Sequence, residues 1–405
     1  MRERALRAIA ACRHIATMTE EPGRITRRFL TPPVHEVHAF LREIMQGLDM
    51  QVHVDAMGNL RGLWQAAGGQ RRLLLGSHID TVPDAGAFDG VLGVILALEW
   101  VLLAQELTLH IAIEVIAFSE EEGVRFGVPF LGSRALAGHF DPFLLTLKDA
   151  TGISLEEAIR NFGLDPAAIQ DAPLPDDVMG FVELHIEQGP VLESEKLSVG
   201  LVTGIVGQTR LSLEFTGHAN HAGTTPMHLR RDALAGAAEW IAAVEATARR
   251  TDGLMATVGR INVEPGAANV IPGWARVSLD VRHARDSVRG LAVDELIATA
   301  QAIADRRGLS LRHNRLMNEP AVPMDERLTA YLSDAVEAAG YPSKTMPSGA
   351  GHDAMVMAAR VPTAMLFLRS PGGVSHHPEE AVREEDVEAT LYVGRKFLER
   401  LASEL

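Results

Sequence analysis

The sequence contains very little cysteine: one residue, Cys12, in 405. A single cysteine cannot form an intrachain disulfide, a thiolate zinc cluster or an iron–sulfur site. Positive charge is also scarce, because 38 Lys and Arg residues stand against 53 Asp and Glu residues, which gives a formal net charge of −15. An acidic protein repels phosphate backbones and anionic lipids, so nucleic acids and membranes are not expected as partners.

Long apolar segments are missing as well. The longest apolar stretch, residues 91–105, carries Glu99 and is too short to span a bilayer. The N-terminal segment is interrupted by Arg7, Arg13 and His14 and has no signal-peptide core. With 47% hydrophobic and 22% charged residues, the composition is typical of a globular protein, and we expect a cytoplasmic one.

Apolar segments of the buried-strand type alternate with helices in the N-terminal third and again near the C-terminus. Strands are indicated at residues 72–77, 110–119 and 363–368, and a helix is indicated at residues 90–105. Apolar strands that are separated by helices predict an α/β fold, in which a mostly parallel sheet has helices on both faces.

From about residue 207 the pattern changes to that of a sheet with one solvent-exposed face. The predicted elements are a strand at 209–215, a helix at 230–249, strands at 254–263 and 274–282, a helix at 288–307 and a strand at 309–316. This β-α-β-β-α-β order predicts a ferredoxin-like α+β unit. We therefore expect an α/β domain formed by residues 1–206 and 323–405, interrupted by an inserted domain of residues 207–322.

Histidine and acidic residues are concentrated in five segments at predicted strand ends and loops, where open α/β sheets place their ligands. In the first segment, His78 can bind a metal ion, Asp80 can orient its imidazole, and Asp89 can bridge two ions with its two oxygens. Each segment alone also fits an ordinary polar loop. Together they fit a dinuclear site of imidazoles and carboxylates. The segments are GSHIDTVPDAGAFDG from Gly76, FSEEEG from Phe118, ELHIEQG from Glu183, HANHAGTTPMH from His218 and SHHPEE from Ser375.

These segments resemble motifs of the metal-dependent aminopeptidase/amidohydrolase superfamily, and within it the branch of allantoate amidohydrolases, N-carbamoyl-L-amino-acid hydrolases and β-ureidopropionases. The motifs occur in family order from about residue 20 onwards: GSHIDTVPDAGAFDG, EEGVRF, ELHIEQGPVLE, HAGTTPM, GAANVIPG, LDVRH, SGAGHDA and SHHPEE. The resemblance implies two divalent metal ions per chain (Zn²⁺, Mn²⁺ or Co²⁺) and a small ureido acid as the substrate.

Matched by position, the resemblance also implies roles for single residues. It makes Glu121 the general base, with Asp80 beside it in the catalytic set, and it makes Asp89 the bridging ligand. The family's His-Asn-Pro element reads His376-His377-Pro378 here, so a swap of roles between the two histidines stays open. The implied metal ligands are His78, Asp89, Glu122, His185 and His376.

The resemblance further implies a set of substrate contacts. His221, a catalytic residue as well, and Asn269 are suited to donate hydrogen bonds to the developing oxyanion, and Arg282 with Arg210 is suited to bind a carboxylate. In the family, the inserted domain mediates dimerisation and can bring its histidine to the partner's site, so we expect a homodimer and a lid. The implied substrate-binding residues are Gln188, Arg210, His221, Asn269, Arg282 and His352.

The implied reaction is hydrolysis of the carbamoyl C–N bond of allantoate or of an N-carbamoyl-L-amino acid, which releases ammonia and carbon dioxide. Both compounds pair a ureido group with a carboxylate, so both stay open as substrates. The alternative within the superfamily is a metallopeptidase that acts on small peptides or N-acyl amino acids. A metal-free binding protein would require a vestigial ligand set, whereas the set in this sequence is complete.

Overall fold

The computed structural model describes residues 1–66 and 71–403. They form two compact units: Met1–Thr203 with Met324–Leu405, and Gly204–Pro323. We refer to the first as the α/β unit and to the second as the inserted unit. Each unit has its own hydrophobic core.

Helices and strands are interspersed along the described residues. The helices are α1 (Arg2–Ala16), α2 (Pro32–Gly47), α3 (Val91–Glu106), α4 (Leu131–Leu136), α5 (Leu155–Asn161), α6 (Val191–Glu195), α7 (Ala233–Arg250), α8 (Asp286–Arg307), α9 (Glu326–Ala338), α10 (Asp353–Met357) and α11 (Glu384–Ala402). The strands are β1 (Gln51–Val54), β2 (Leu60–Gln65), β3 (Arg72–His78), β4 (Ala112–Phe118), β5 (Val178–Ile186), β6 (Val199–Ile205), β7 (Gly207–Thr216), β8 (Asn220–His221), β9 (Met255–Thr257), β10 (Ile261–Glu264), β11 (Val270–Ile271), β12 (Trp274–His283), β13 (Ser310–Glu319), β14 (Val322–Pro323), β15 (Thr345–Ser348) and β16 (Thr363–Leu368). Short 3₁₀ helices lie at Pro142–Thr146, Pro166–Asp171, Met227–Leu229 and Pro371–Gly373.

The sheet of the α/β unit has its parallel strands at the centre. The strands pair in the order β1-β2-β4-β3-β5-β16-β6. The β4–β3, β3–β5 and β5–β16 pairs are parallel, and the outer pairs are antiparallel. Every residue of β4 and β16 is buried, which means that both faces of these strands are covered. The predicted α/β class with a mostly parallel central sheet is confirmed.

Helix α3 is buried along most of its surface because it packs on β3, β4 and β5 and also on α1 and α11. It approaches the sheet very closely at Gly93, where a Cβ atom would lie 1.9 Å from the carbonyl oxygen of Leu184. The loop that precedes α3 is thereby fixed at the edge of the sheet where the parallel strands end. No helix in the described part of the chain is long and apolar enough to cross a membrane.

The inserted unit contains an antiparallel sheet in the order β10-β12-β7-β13, against which α7 and α8 pack. Burial alternates along β7 and β12, so one sheet face lies on the core and the other does not. The single strand that we predicted at residues 254–263 is wrong, because the structure has two strands there, β9 and β10. Thr257 pairs with Asp280 and Ile261 with Val277, so a step of four residues (261 − 257) faces a step of three (280 − 277). Three residues, 258–260, separate the two strands.

Candidate active site

The predicted metal ligands of the α/β unit lie at the carboxyl ends of its parallel strands. His78 is the last residue of β3, and His185 is the last but one of β5. Glu121 and Glu122 follow β4, and His376 follows β16. Because these strands run parallel, their carboxyl ends meet at one edge of the sheet, where open α/β folds bind their ligands.

Asp89, in the loop before α3, lies at the centre of this cluster. Its Oδ1 atom is 3.5 Å from Nε2 of His78 and 3.2 Å from Nε2 of His185, and the two nitrogens are 3.4 Å apart. Its Oδ2 atom is 3.1 Å from Nε2 of His376, which is itself 3.4 Å from Oε1 of Glu122. Each oxygen of Asp89 therefore faces its own set of potential metal ligands.

The two buried histidines are oriented so that they present Nε2 to Asp89. Nδ1 of His78 lies 3.0 Å from the carbonyl oxygen of Asp80, and Nδ1 of His185 lies 2.9 Å from that of Ile186. Because a carbonyl oxygen only accepts, Nδ1 carries the hydrogen in each neutral ring, and the Nε2 lone pair points at Asp89. Oδ1 of Asp89 is buried and has no hydrogen-bond donor among the described residues. In the neutral state of both rings, these lone pairs converge with Oδ1 of Asp89, an arrangement that fits a divalent metal ion.

Asp80 connects the end of β3 with the loop after β4. Its Oδ1 and Oδ2 atoms accept hydrogen bonds from the backbone amides of Glu121 and Glu122, both at 3.0 Å. Its Oδ1 also lies 3.6 Å from Nδ1 of His78. At Gly90, whose φ is +65°, a Cβ atom would come within 2.5 Å of the His78 ring. The sequence therefore leaves room for His78 only because residue 90 is a glycine.

The acidic run after β4 is buried and crowded, which raises the pKa values of its carboxyl groups. Burial, followed by the charge of Asp80, raises the pKa of Glu120 to about 8. Burial, followed by the charge of Asp89, raises the pKa of Glu122 to about 7. Burial is also the main reason that the pKa of Glu121 lies well above its usual range. Ionisation of all these groups at neutral pH requires a nearby positive charge, such as a bound metal ion.

Two of the predicted substrate contacts lie directly against the metal-ligand candidates. Nε2 of Gln188 donates hydrogen bonds to Oδ2 of Asp89 and to Oγ of Ser375, each at 3.1 Å. His352 is only 1% exposed, and its ring packs edge-on against that of His185 with the centroids 4.4 Å apart. In this structure both side chains orient neighbouring ligand candidates, and their contact with a substrate stays a prediction.

Of the two adjacent histidines in SHHPEE, the structure places His376 beside Asp89. His377 is exposed instead, and its Nδ1 atom accepts a hydrogen bond from the backbone amide of Glu379 at 3.2 Å. His376 adopts a φ of +56°, an uncommon conformation for a residue with a side chain. The geometry favours His376 as the ligand.

In the inserted unit, His221 and Asn269 are neighbours. The pairing of β8 with β11 sets His221 opposite Val270, and the amide of Ala222 donates to the carbonyl oxygen of Asn269 at 2.9 Å. The amide of Gly223 donates to Nδ1 of His221 at 3.0 Å. Nδ1 is therefore the acceptor, so the hydrogen of the neutral ring is on Nε2. The exposed His221 ring thus presents an N–H donor, as a role in oxyanion stabilisation requires.

Arg210 and Arg282 share one carboxylate, that of Asp280. Nε of Arg210 lies 2.9 Å from Oδ2 of Asp280, and Nε of Arg282 lies 2.9 Å from Oδ1. Burial raises the pKa of Asp280, but hydrogen bonds from Arg282 and then Arg210 outweigh it, so the pKa lies below its usual value. Our sequence reasoning missed Asp280. The sequence did indicate this contact, because residues two apart in a strand, such as 280 and 282, have their side chains on the same face.

Two further residues that we missed support the loops of the α/β unit. The buried guanidinium of Arg27 donates from Nε to the carbonyl oxygen of Ile79 at 2.6 Å, which holds the segment after β3. Oδ1 of Asn59 accepts from the amide of Ser119, and its Nδ2 donates to the carbonyl oxygen of Gly132, at 3.0 and 3.2 Å. Asn59 thereby fixes the chain just before the acidic run. The only feature of the sequence that could have pointed to Asn59 is its place in a predicted tight turn after β1.

Comparison with known proteins identifies relatives along almost the whole chain. The model of peptidase family M20/M25/M40 matches residues 74–402. The chain is 41% identical over 368 residues to the N-carbamoyl-L-amino acid amidohydrolase of Geobacillus stearothermophilus, covering 90% of each protein. It is 37% identical over 430 residues to an allantoate deiminase of Arabidopsis thaliana, covering 97% of this chain and 81% of the relative. A crystal structure of a hydantoinase/carbamoylase family amidase from Burkholderia multivorans matches with a TM-score of 0.91 at 32% identity, covering 98% of this chain and 97% of that one.

These matches confirm the resemblance that the sequence motifs indicated. Enzymes of this family are metal-dependent hydrolases, and the cluster around Asp89 supplies the imidazole and carboxylate ligands that such an enzyme needs. The fold agrees with that of the matched crystal structure along nearly the full length of both chains. The chain belongs to the peptidase family M20/M25/M40.

Proposed function

We propose that this chain is an amidohydrolase with two divalent metal ions, Zn²⁺, Mn²⁺ or Co²⁺, that hydrolyses the carbamoyl C–N bond of a ureido acid. The proposal rests mainly on the position of Asp89, because each of its two oxygens faces a separate set of candidate ligands. The choice of substrate is supported by the relatives, which are named for N-carbamoyl-L-amino acids and for allantoate. Both compounds carry a ureido group and a carboxylate.

In the proposed site, Asp89 would be shared by the two ions, His78 and His185 would hold one of them, and Glu122 and His376 would hold the other. Bound ions would supply the Lewis acidity that polarises the urea carbonyl and lowers the pKa of a nearby water. The ligand candidates fit this role because their donor atoms lie within 4.8 Å of one another in each set. Asp80, just after β3, holds the backbone at Glu121 and Glu122 through its two hydrogen bonds.

Glu121 is the proposed general base. A urea carbonyl is a poor electrophile because two nitrogens donate electrons into it, so the attacking water must lose a proton as it adds. A carboxylate oxygen of Glu121 would accept that proton and later deliver it to the departing nitrogen. Burial raises the pKa of this carboxyl group, which suits a residue that must both accept and donate a proton. The products are the amine, carbon dioxide and ammonia.

The inserted unit is proposed to bind the rest of the substrate. Nε2–H of His221 and the side-chain amide of Asn269 would donate hydrogen bonds to the carbonyl oxygen as it gains charge. Arg282 and Arg210 would bind the substrate carboxylate, for which guanidinium groups are well shaped. We also propose that this unit acts as a lid and forms a homodimer, as the family resemblance implies. The single, buried Cys12 suits a reducing compartment, which supports a cytoplasmic location.

The proposal is tested by ammonia release from allantoate and from a panel of N-carbamoyl-L-amino acids, with dipeptides and N-acyl amino acids assayed in parallel for cleavage. The protein is purified and supplied with Mn²⁺ or Zn²⁺. We expect a ureido acid to be hydrolysed much faster than any peptide. Glu121→Gln should lower turnover strongly, whereas the control Glu379→Gln, at an exposed residue, should not. Cleavage of dipeptides or N-acyl amino acids without ammonia release from any ureido acid would favour the metallopeptidase alternative.

A further inference from the structure

We infer that Glu380 is a positioning residue of the metal site, and that it holds the loop carrying Asp89 against the loop carrying His376. The inference rests on the proposed metal-dependent function. Glu380 is the last residue of the SHHPEE motif, four residues after His376, and it is 6% exposed. No role was assigned to it from the sequence.

The carboxylate of Glu380 joins two loops that are far apart in the sequence. Its Oε1 atom accepts hydrogen bonds from the backbone amides of Phe88 and Asp89, at 2.9 and 3.0 Å. Its Oε2 atom accepts from the hydroxyl of Ser375 at 3.1 Å, directly before His376. One oxygen thus fixes the peptide that carries Asp89, and the other fixes the peptide that carries His376.

The loop around Asp89 is shaped to receive this carboxylate. At Gly86 a Cβ atom would lie 2.3 Å from Cβ of Glu380 and 2.4 Å from its Oε1. Only a glycine allows the two loops to approach so closely. This steric fit is independent of the hydrogen bonds and points to the same contact.

The charge of Glu380 also argues for a role at a cation site. Within residues 1–66 and 71–403, its hydrogen-bond donors are two backbone amides and a hydroxyl, and no Lys or Arg forms an ion pair with it. A second buried carboxylate close to Asp89 is costly unless a cation compensates for both. A neutral glutamine would offer an acceptor oxygen to the same amides without the cost of a buried charge. The negative charge of Glu380 would favour the binding of a metal cation at Asp89.

Removal of the Glu380 carboxylate is expected to lower the affinity of the site for metal ions. Asp89 must direct one oxygen to His78 and His185 and the other to His376, which requires a fixed backbone at residues 88 and 89. Gln188 restrains only the Oδ2 side of Asp89. Residues that orient metal ligands typically change metal affinity by about 10- to 100-fold when they are removed. We expect a loss in this range for Glu380→Ala, and a smaller loss for Glu380→Gln, which keeps an acceptor oxygen.

The experiment is a titration of metal-free full-length protein with Zn²⁺ in competition with a chromogenic chelator. Glu379→Gln is the matched control, because Glu379 is the adjacent residue and its side chain is 82% exposed. It removes the same formal charge, and we expect its zinc affinity to stay within about twofold of the unaltered protein. The inference is overturned if Glu380→Ala binds zinc as tightly as the unaltered protein, or if Glu379→Gln loses as much.

Thermal unfolding of the metal-free variants shows whether each variant is folded. It therefore distinguishes a loss of zinc affinity in a folded protein from a failure to fold. If Glu380→Ala does not fold, Gly86→Ala takes its place, because the added methyl displaces Glu380 without removing its charge. A folded Gly86→Ala variant with unchanged zinc affinity contradicts the inference. Zinc affinity is measured without a substrate. The positioning role of Glu380 can therefore be refuted independently of the proposed hydrolase function. Protein that binds zinc but hydrolyses no ureido acid refutes the proposed function and leaves the role of Glu380 to be decided by these variants.

Discussion

The replacement Arg282→Lys tests whether the inserted unit binds the substrate carboxylate through a guanidinium group. In the structure, Asp280 holds the Nε atoms of Arg210 and Arg282, one at each of its oxygens. This shared carboxylate fixes the planes of both guanidinium groups. A lysine keeps the positive charge at residue 282, but it loses the planar set of donors and the contact of Nε with Asp280.

The size of the effect follows from the number and kind of hydrogen bonds that are lost. A hydrogen bond to a charged group contributes about 1.5–3 kcal/mol. The Arg282 side chain is 33% exposed, so solvent screens the interaction and we take the lower part of that range, about 1.5–2 kcal/mol. With a tenfold change for each 1.36 kcal/mol, we expect KM for a ureido acid to rise by about 10- to 30-fold. The kcat value should change much less, because this contact exists before and after bond cleavage.

Steady-state kinetics with two substrates provides the assay. The first is an N-carbamoyl amino acid, and the second is the same compound with its carboxylate converted to an amide. Arg276→Lys is the matched control, because Arg276 lies on the same face of β12 and donates from Nε to Glu214 at 2.8 Å. Arg282→Lys should differ from the unaltered protein only with the acid. An unchanged KM for the acid, or an equal rise in KM for Arg276→Lys, would show that the guanidinium group of Arg282 does not bind the substrate carboxylate.

Three further predictions concern the α/β unit. Glu121→Gln should lower kcat by about 10²- to 10⁴-fold with unchanged metal content, and near-normal turnover would exclude it as the base. Gly90→Ala should weaken zinc binding, since its Cβ would lie 2.5 Å from the His78 ring, and unaltered affinity would show that the ring can move away at no cost. Glu114→Gln should lower the free energy of unfolding in urea at pH 7 by about 3–5 kcal/mol, because it breaks a buried ion pair with Arg61. Burial raises the pKa of Glu114, but Arg61 and then Arg72 outweigh it, so the pKa lies below its usual value of 4.5. This stabilisation should be full above pH 4.5 and decline as the pH falls through the lowered pKa; a difference between the two proteins that does not shrink on acidification contradicts it.

The clustering of the proposed metal ligands of the α/β unit could be predicted from the sequence for a physical reason. His78, Glu121 and His185 each follow or end an apolar segment of buried-strand type, and parallel strands bring their carboxyl ends to one edge. A local pattern therefore sufficed to place distant residues together. Asp89 belongs to the same set because it lies in the glycine-rich loop that leads into α3.

The supporting residues could not be predicted in this way, because their contacts depend on how distant segments pair. Glu380 accepts a hydrogen bond from the amide of Phe88, 292 residues away. Asp280 meets Arg210 because the register of β12 against β7 sets the two residues opposite each other. The break between β9 and β10 likewise depends on the register of both strands against β12. Periodicity within one segment contains no information about such a register.

The most direct test of the central claim is the rate of ammonia release from a ureido acid as a divalent metal ion is added to metal-free protein in known equivalents. Each oxygen of Asp89 faces its own set of ligand candidates, so we expect the rate to rise with added metal and to reach its plateau at two ions per chain. A plateau at one ion per chain, or a rate that does not depend on added metal, would contradict it.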